Sequence, residues 1–477
     1  MVFSSTTFLF IFLPAVLILY YLIPEKHCRN ALLILASLLF YAYNEPFVVG
    51  MLLLSILSNY AFGLMMKGKK HIRIMGLIFS IFWNLELLYL YQYAGFFAGI
   101  LNHLPFFNIP VPEVKLPIGI SIFTLQAMSY VIDVYRGKAQ IQNNPFRLYL
   151  SIALFPQLLA GPIVQYHDIE NQLTERTVNF KQMARGIRRF IIGLAKKLLI
   201  ADTIGLMADS AFAMENEKII FSYAWMGAIC YTLQIYFALS GYSDMAIGLG
   251  KMFGFQYKEN FNYPYFSKSI TGFWKRWNIS LSAWFQRYVY FPLGGNRKGN
   301  VRMLCNLLIT YLGIGLWYGA SWNFVIWGLW NGFFLILEFF MAKGNFPKNP
   351  LLAILKRFYC MGITVLGFVI FRAEDMQQAF AFWRAMFGFS PADVAQKQAS
   401  FGLMTFQCNS LFVITMIFAV VFVMPVNPWL KQLLQNANPP TQKRVSILSY
   451  AGSMVLFGIC LLYLASGESR PLVGLNF

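Results

Sequence analysis

Long apolar runs separated by short basic segments constrain this chain more than any other feature. Stretches near 6–23, 31–43, 47–66, 72–100, 116–134, 148–164, 187–212, 219–250, 303–317, 322–341, 356–371, 408–426 and 445–466 consist mostly of aliphatic and aromatic residues. Several exceed the ~18 apolar residues that cross a bilayer as a helix. In hydrocarbon the backbone must satisfy its own N–H and C=O groups, which a helix does within one segment. With 58% hydrophobic and 12% charged residues, a soluble globular fold is excluded. The expectation is an all-α polytopic integral membrane protein, one membrane-embedded domain over 1–477. Roughly ten to twelve spans of ~20 residues each fit its length.

The net charge of +19 is distributed as a membrane protein distributes it. Basic residues gather between apolar runs, as Lys67, Lys69, Lys70 and Arg73, as Arg136 and Lys138, and as Lys181, Arg185, Arg188 and Arg189. The positive-inside rule accounts for this, and nothing resembles a soluble nucleic-acid reader. The lipid bilayer is the partner this pattern implies, and nucleic acid is excluded. The first apolar run, Phe8 to Ile23, has no basic residue before it, whereas Lys26 and Arg29 follow it. That order predicts an uncleaved helix with its N-terminus outside. Arg29, Lys67 and Arg136 then fall in the cytoplasm and Glu45 outside. The dispersed cysteines (28, 230, 305, 360, 408, 460) read as packing residues, and the histidines (27, 71, 103, 167) show no metal-ligand spacing.

Two apolar runs are interrupted. Pro117 and Gly119 break 116–134, and Pro156, Gly161 and Pro162 break 148–164. Non-helical backbone survives at membrane depth only where protein or a water-filled cavity satisfies it, which predicts re-entrant pieces around a central chamber. The segment 185–205 carries basic pairs Arg188/Arg189 and Lys196/Lys197 beside aliphatic residues. It fits a span and equally a helix lying along the interface. Between Lys251 and Arg302 stand nine basic residues and one acid, Glu259. Two readings stay open: a solvated inner loop touching anionic lipid, and a platform for a phosphate-bearing acyl-coenzyme A. More polar connections occupy 373–406 and 427–445. Asp133, three residues before Arg136, predicts an ion pair at a membrane edge.

The wording of the chain is itself informative. It contains MVFSSTTFLFIFLP at the start, LPIGISIFTLQAMSYVIDVYRG (116–137), LFPQLLAGPIVQY (154–166) and RFIIGLAKKLLIAD (189–202). SGYSDMAIGLGKMFGF (240–255), NFNYPY, FWKRWNISLSAW, YFPLGGNRKG, GLWYGASW, WGLWNG and FRAED (371–375) follow in order. In these fragments the chain resembles the membrane-bound O-acyltransferase family, in its bacterial alginate O-acetyltransferase branch, with 240–332 as the core motif region. The resemblance implies a chamber in the inner (cytoplasmic) membrane. There a cytoplasmic acyl-coenzyme A, acetyl-coenzyme A above all, would meet a path to a cell-envelope polysaccharide, through a partner acyltransferase outside the membrane.

Acyl transfer to an alcohol needs a positioned base for the hydroxyl proton and donors for the developing oxyanion. Histidine serves as that base because its ordinary titration range brackets neutral pH. The resemblance implies histidines in RWHIS, GLWHGASW and WGLWHG; this chain has Asn278, Tyr318 and Asn331 there. Asparagine does not titrate, and tyrosine, with an ordinary pKa near ~10, is a poor base at neutral pH. The family's acids are also replaced, by Ala238, Gly272 and Arg287. Tyr318 reads as a chamber-lining donor or as part of an interfacial aromatic belt. Asn278 and Asn331 read as structural hydrogen-bonding groups or substrate contacts.

Asp244, ionisable within an apolar run, is a site candidate or a packing partner for a nearby Arg or Tyr. Ser240 and Ser243 lack a flanking base, which argues against a serine nucleophile. Gly294–Gly295 lacks phosphate-loop spacing and reads as a tight turn. By the resemblance, Arg297 and Lys298 beside it lie on the donor side, near coenzyme A phosphates. Two functions compete: an O-acyltransferase with Tyr318 and Asn278 as donors, and a non-catalytic component that keeps the fold and a partner-docking surface. A transporter reading lacks visible inverted symmetry.

Overall fold

The computed structural model describes residues 1–467 apart from 44, 107, 112–115, 118, 159–160, 342–348 and 437. Among the described residues helices are the only regular secondary structure, with no strand. Six helices among the described residues are long and apolar enough to cross a membrane: Pro46–Lys67, Lys70–Asn102, Asn300–Tyr318, Trp322–Met341, Pro350–Arg372 and Pro439–Ala465. Val394–Gln407 and Ser410–Val423 form a further pair bent by 76°, and Phe8–Leu22 and Ile120–Tyr135 are shorter apolar helices.

The remaining long helices are less apolar because protein, not lipid, surrounds them. Phe221–Met252 runs for 32 residues, and most of its side chains are buried. The segment left open between span and surface helix packs against it. Phe180–Ala195, a π-helical Lys196–Asp202 and Thr203–Phe212 follow one another without interruption. This run lies antiparallel to Phe221–Met252 through two glycine pairs. A Cβ on Gly186 would sit 2.7 Å from the Gly248 carbonyl oxygen, and one on Gly241 2.7 Å from that of Gly193. Only residues without side chains let helix backbones approach so closely. Within the π turn, Lys197 Nζ and Asp202 Oδ2 lie 2.7 Å apart, both buried. A charge taken out of water is tolerable when paired in this way.

The two interrupted runs differ. Pro117 and Gly119 precede a continuous helix, Ile120–Tyr135, which Gly119 opens at φ +81°. The second run is broken, into Pro145–Ala153, Phe155–Leu158 and a buried non-helical stretch at 161–165. Its freed backbone groups find side chains: Phe155 N–H donates to Ser37 Oγ at 3.1 Å and Ile163 N–H to Ser280 Oγ at 2.9 Å. Buried irregular backbone therefore occurs where the sequence placed it, with protein as its solvent.

Candidate active site

The polar, aromatic stretch after Phe221–Met252 forms short helices, Ile270–Trp274 and Ile279–Phe285, wedged against the spans. Ser269 caps the first, accepting from Gly272 N–H at 2.9 Å. Glu338, from the span Trp322–Met341, accepts from the Ile270 and Thr271 N–H groups and from Thr271 Oγ1 at 2.8 Å. A carboxylate suits the positive end of a helix. Residues 260–262 then clamp 276–280. Asn262 N–H donates to Arg276 O at 2.9 Å, Ile279 N–H to Asn260 O at 2.9 Å, and Ser280 N–H to Asn260 Oδ1 at 3.0 Å. Held from both sides, Asn278 adopts a left-handed conformation, φ +38° and ψ +57°. Asparagine tolerates this region better than most side chains.

Tyr318 ends the span Asn300–Tyr318, which packs on Trp322–Met341 through Gly315 and Gly328. A Cβ on Gly315 would contact the Phe324 carbonyl oxygen and lie 3.1 Å from Gly328 Cα. This contact brings the Tyr318 hydroxyl to Asn278, whose Nδ2 donates to it at 2.9 Å. Tyr318 is 2% exposed and Asn278 8%, so the pair is shielded from water. Rings of Trp317, Trp327 and Phe371 surround the phenol at 5.1–5.3 Å between centroids. Tyr318 is thus a core residue and no part of an interfacial belt. Asn331 lies one layer behind. Its Oδ1 accepts from Trp274 Nε1 at 3.1 Å and its Nδ2 donates to Trp327 O at 2.8 Å.

The structure therefore brings Asn278 and Tyr318 into direct contact and ties Asn331 to the same aromatic layer through Trp274 and Trp327. Their chemistry is donation. The Asn278 amide N–H donates to the phenol oxygen, and a phenol O–H is a donor of the kind that suits an oxyanion or a carbonyl. None of the three is a base for an alcohol at neutral pH.

Asp244 faces a different set of residues. Arg189 Nη2 lies 2.8 Å from Oδ1 and Lys196 Nζ 2.7 Å from Oδ2, while Arg189 also pairs with Glu259. This is the packing-partner arrangement, across the contact between Phe180–Ala195 and Phe221–Met252. Arg297 and Lys298 project from a tight turn in which Gly294, Gly295 and Gly299 all have positive φ, and both side chains are exposed.

One grouping escaped the sequence reading. Asp133 does not pair with Arg136. It points inward, fully buried, and its Oδ2 lies 2.8 Å from His167 Nδ1 and 2.8 Å from the Tyr288 hydroxyl. Arg136 instead donates to Arg287 O at 3.1 Å. Burial decides this: an inward carboxylate needs buried donors, and exposed Arg136 offers none. His167 Nε2 lies 2.7 Å from Arg287 Nη1. The signals were an acid inside an apolar helix and a histidine after a Pro-broken segment. Neither shows its partner in sequence, because 34 residues separate them.

Residues 38–371 match the profile of MBOAT, the membrane-bound O-acyltransferase family. The chain is 42% identical over 402 residues to a probable alginate O-acetylase of Pseudomonas aeruginosa, covering 82% of this chain and 75% of that protein. It is 40% identical over 434 residues to the Azotobacter vinelandii counterpart, covering 89% and 84% respectively. A peptidoglycan O-acetyltransferase of Helicobacter pylori is 33% identical over 440 residues, covering 84% and 82%. With its helical spans, its broken inner segments and this match over most of its length, the chain belongs to the membrane-bound O-acyltransferase family.

Proposed function

We propose that this protein is the membrane component of a cell-envelope polysaccharide O-acetylation system in the inner membrane. It accepts an acetyl group from cytoplasmic acetyl-coenzyme A, and an extracytoplasmic acyltransferase partner completes delivery to the polysaccharide. The relatives named as alginate O-acetylases and as a peptidoglycan O-acetyltransferase support this acceptor class. The observation that carries the reading is the buried hydrogen bond from Asn278 to Tyr318. It sets a phenol hydroxyl, held by an amide donor, at the position where the family's wording implies histidine. Tyr318 stabilises the oxyanion, Asn278 holds Tyr318, and Asn331 fixes the Trp274–Trp327 wall.

A site with donors and no base retains proximity and oxyanion stabilisation but loses ~10²–10⁴ in rate. The same observation favours the second reading, a non-catalytic component that keeps the fold and the partner surface. One assay separates them: acetyl-coenzyme A consumption by purified protein with its envelope partner. The variants are Tyr318→Phe and Asn278→His, Tyr318→His and Asn331→His, singly and together. Wild-type turnover that Tyr318→Phe abolishes establishes the donor mechanism. Turnover only in the histidine variants establishes the non-catalytic reading.

A further inference from the structure

Trp277 stands one residue before Asn278 and is 1% exposed. Three ring contacts fix it. It stacks on Phe273 with centroids 5.3 Å apart and 19° between planes, meets Phe261 edge-on at 5.2 Å, and lies 5.3 Å from Phe368. Its backbone N–H donates to Phe273 O at 2.9 Å, beside the clamp that 260–262 make on 276–280. Phe368 in turn packs on Phe371, the ring that meets Tyr318. The indole and the phenol therefore share one aromatic wall.

An indole nitrogen is a donor only. Three neighbouring indoles satisfy theirs: Trp274 Nε1 donates to Asn331 Oδ1 at 3.1 Å, Trp284 Nε1 to Leu125 O at 2.9 Å, and Trp317 Nε1 to Ser121 O at 3.0 Å. Trp277 Nε1 does not. It faces the Tyr318 hydroxyl, whose oxygen already accepts from Asn278, but it is not aligned on that oxygen. Among the described residues this buried N–H has no acceptor. An unpaired buried donor costs stability, so native folds seldom keep one without a use. The surroundings narrow that use. Phe261, Phe273, Phe368 and Tyr265 make the wall aromatic, and an ion entering it would lose its water without a counter-charge. A carbonyl oxygen arrives neutral and gains negative charge only when its carbon is attacked.

We propose that the Trp277 Nε1–H donates to the carbonyl oxygen of the acyl group bound beside Tyr318, so that indole and phenol form the two sides of one oxyanion site. This rests on the donor reading of Tyr318 above and adds a second donor to it. An alcohol oxygen adds to the thioester carbon, and the C=O π pair moves onto the oxygen that the indole holds. The pair then returns as the C–S bond breaks, and the thiolate leaves with the proton that the alcohol gives up. The indole proton stays on nitrogen throughout. Because stacking fixes the ring beforehand, the donor needs no reordering at the moment of reaction.

The test uses the full chain in nanodiscs with acetyl-coenzyme A isotope-labelled at the thioester carbonyl carbon. The envelope partner is left out, so that the bound acyl group is not passed on. Infrared difference spectra of labelled against unlabelled ligand isolate the bound C=O band, which each hydrogen bond lowers in frequency. The wild type should show a lowered band. Trp277→Phe should remove roughly half of that lowering. Benzothienylalanine placed at position 277 should do the same, since it keeps the indole's shape with sulfur in place of N–H. That variant separates loss of the donor from loss of packing. With the partner added and turnover present, kcat should fall ~10²–10³-fold in both variants while KM stays within ~3-fold. A wild-type lowering that the benzothienylalanine variant keeps in full overturns the proposal, and if Tyr318→Phe still reduces it, the donor reading of Tyr318 survives alone. A wild type without a lowered band overturns both.

Discussion

The Asn278–Tyr318 contact admits a quantitative test that needs no substrate. Tyr318→Phe removes one hydroxyl and leaves Asn278 Nδ2 without its 2.9 Å acceptor. A buried donor left unpaired costs ~1–3 kcal/mol in proteins generally. Hydrogen bonds between membrane helices average only ~0.6 and reach ~1.7 kcal/mol, because a mobile group finds another partner. Asn278 is not mobile: 260–262 clamp its backbone on both sides, and it is 8% exposed. The coupling should therefore lie at the upper end, about 1–1.7 kcal/mol. Asn278→Gly is the matching single change, since it deletes the amide while keeping φ +38° without strain. Asn278→Ala should be worse by a further ~1–2 kcal/mol, the penalty for a Cβ in that region. The assay is reversible unfolding in mixed detergent micelles, read by far-ultraviolet dichroism, for Tyr318→Phe, Asn278→Gly and the double variant. The double variant should be less destabilised than the sum of the singles. Additivity within ~0.5 kcal/mol would refute the contact. Equal stabilities for the Gly and Ala variants would refute the left-handed backbone.

Two further outcomes follow from packing. Gly315→Val places a side chain on the Phe324 carbonyl oxygen and on Gly328. It should cost ~1–3 kcal/mol in the same unfolding assay and separate Tyr318 from Asn278. Lys197→Met alone removes the 2.7 Å ammonium partner of the buried Asp202 and should destabilise by ~3–5 kcal/mol, whereas Lys197→Met with Asp202→Leu should recover most of that loss. Equal loss in single and double variants would refute a compensated ion pair.

The sequence conveyed most about what lipid and backbone physics impose, and least about which distant residues meet. Long apolar runs became spans, and the run interrupted by Pro156, Gly161 and Pro162 became short helices and irregular backbone at 161–165, with freed N–H groups on Ser37 and Ser280. The segment 185–205 was ambiguous because its basic pairs suit an interface. What the structure adds is its packing partner, through Gly186 and Gly193 meeting Gly248 and Gly241, and glycine spacing shows a partner only once both helices are placed. Asp133 was misassigned to Arg136 because local spacing was the only information available, whereas its partners lie 34 and 155 residues away. The motif positions 278, 318 and 331 were located as individual residues. That the first two close on each other depends on a left-handed turn and a glycine contact, neither of which has a local signature.

The contact also shows why the replaced positions act as a set. Suppose only Tyr318 were returned to histidine. The Asn278 amide, fixed by its clamped backbone, would still direct Nδ2 at that position. An imidazole there would accept the N–H with the lone pair that a general base needs, and its other nitrogen, carrying the proton, would face the Trp327–Phe371 side with nothing to deprotonate. A single Tyr318→His change should therefore remain as slow as the wild type. Base function should return only when Asn278 also changes to a residue that does not donate into the site. If Tyr318→His alone restored full turnover, Asn278 would have to release the site on substrate binding, and the rigid clamp at 276–280 would be the wrong description of this centre.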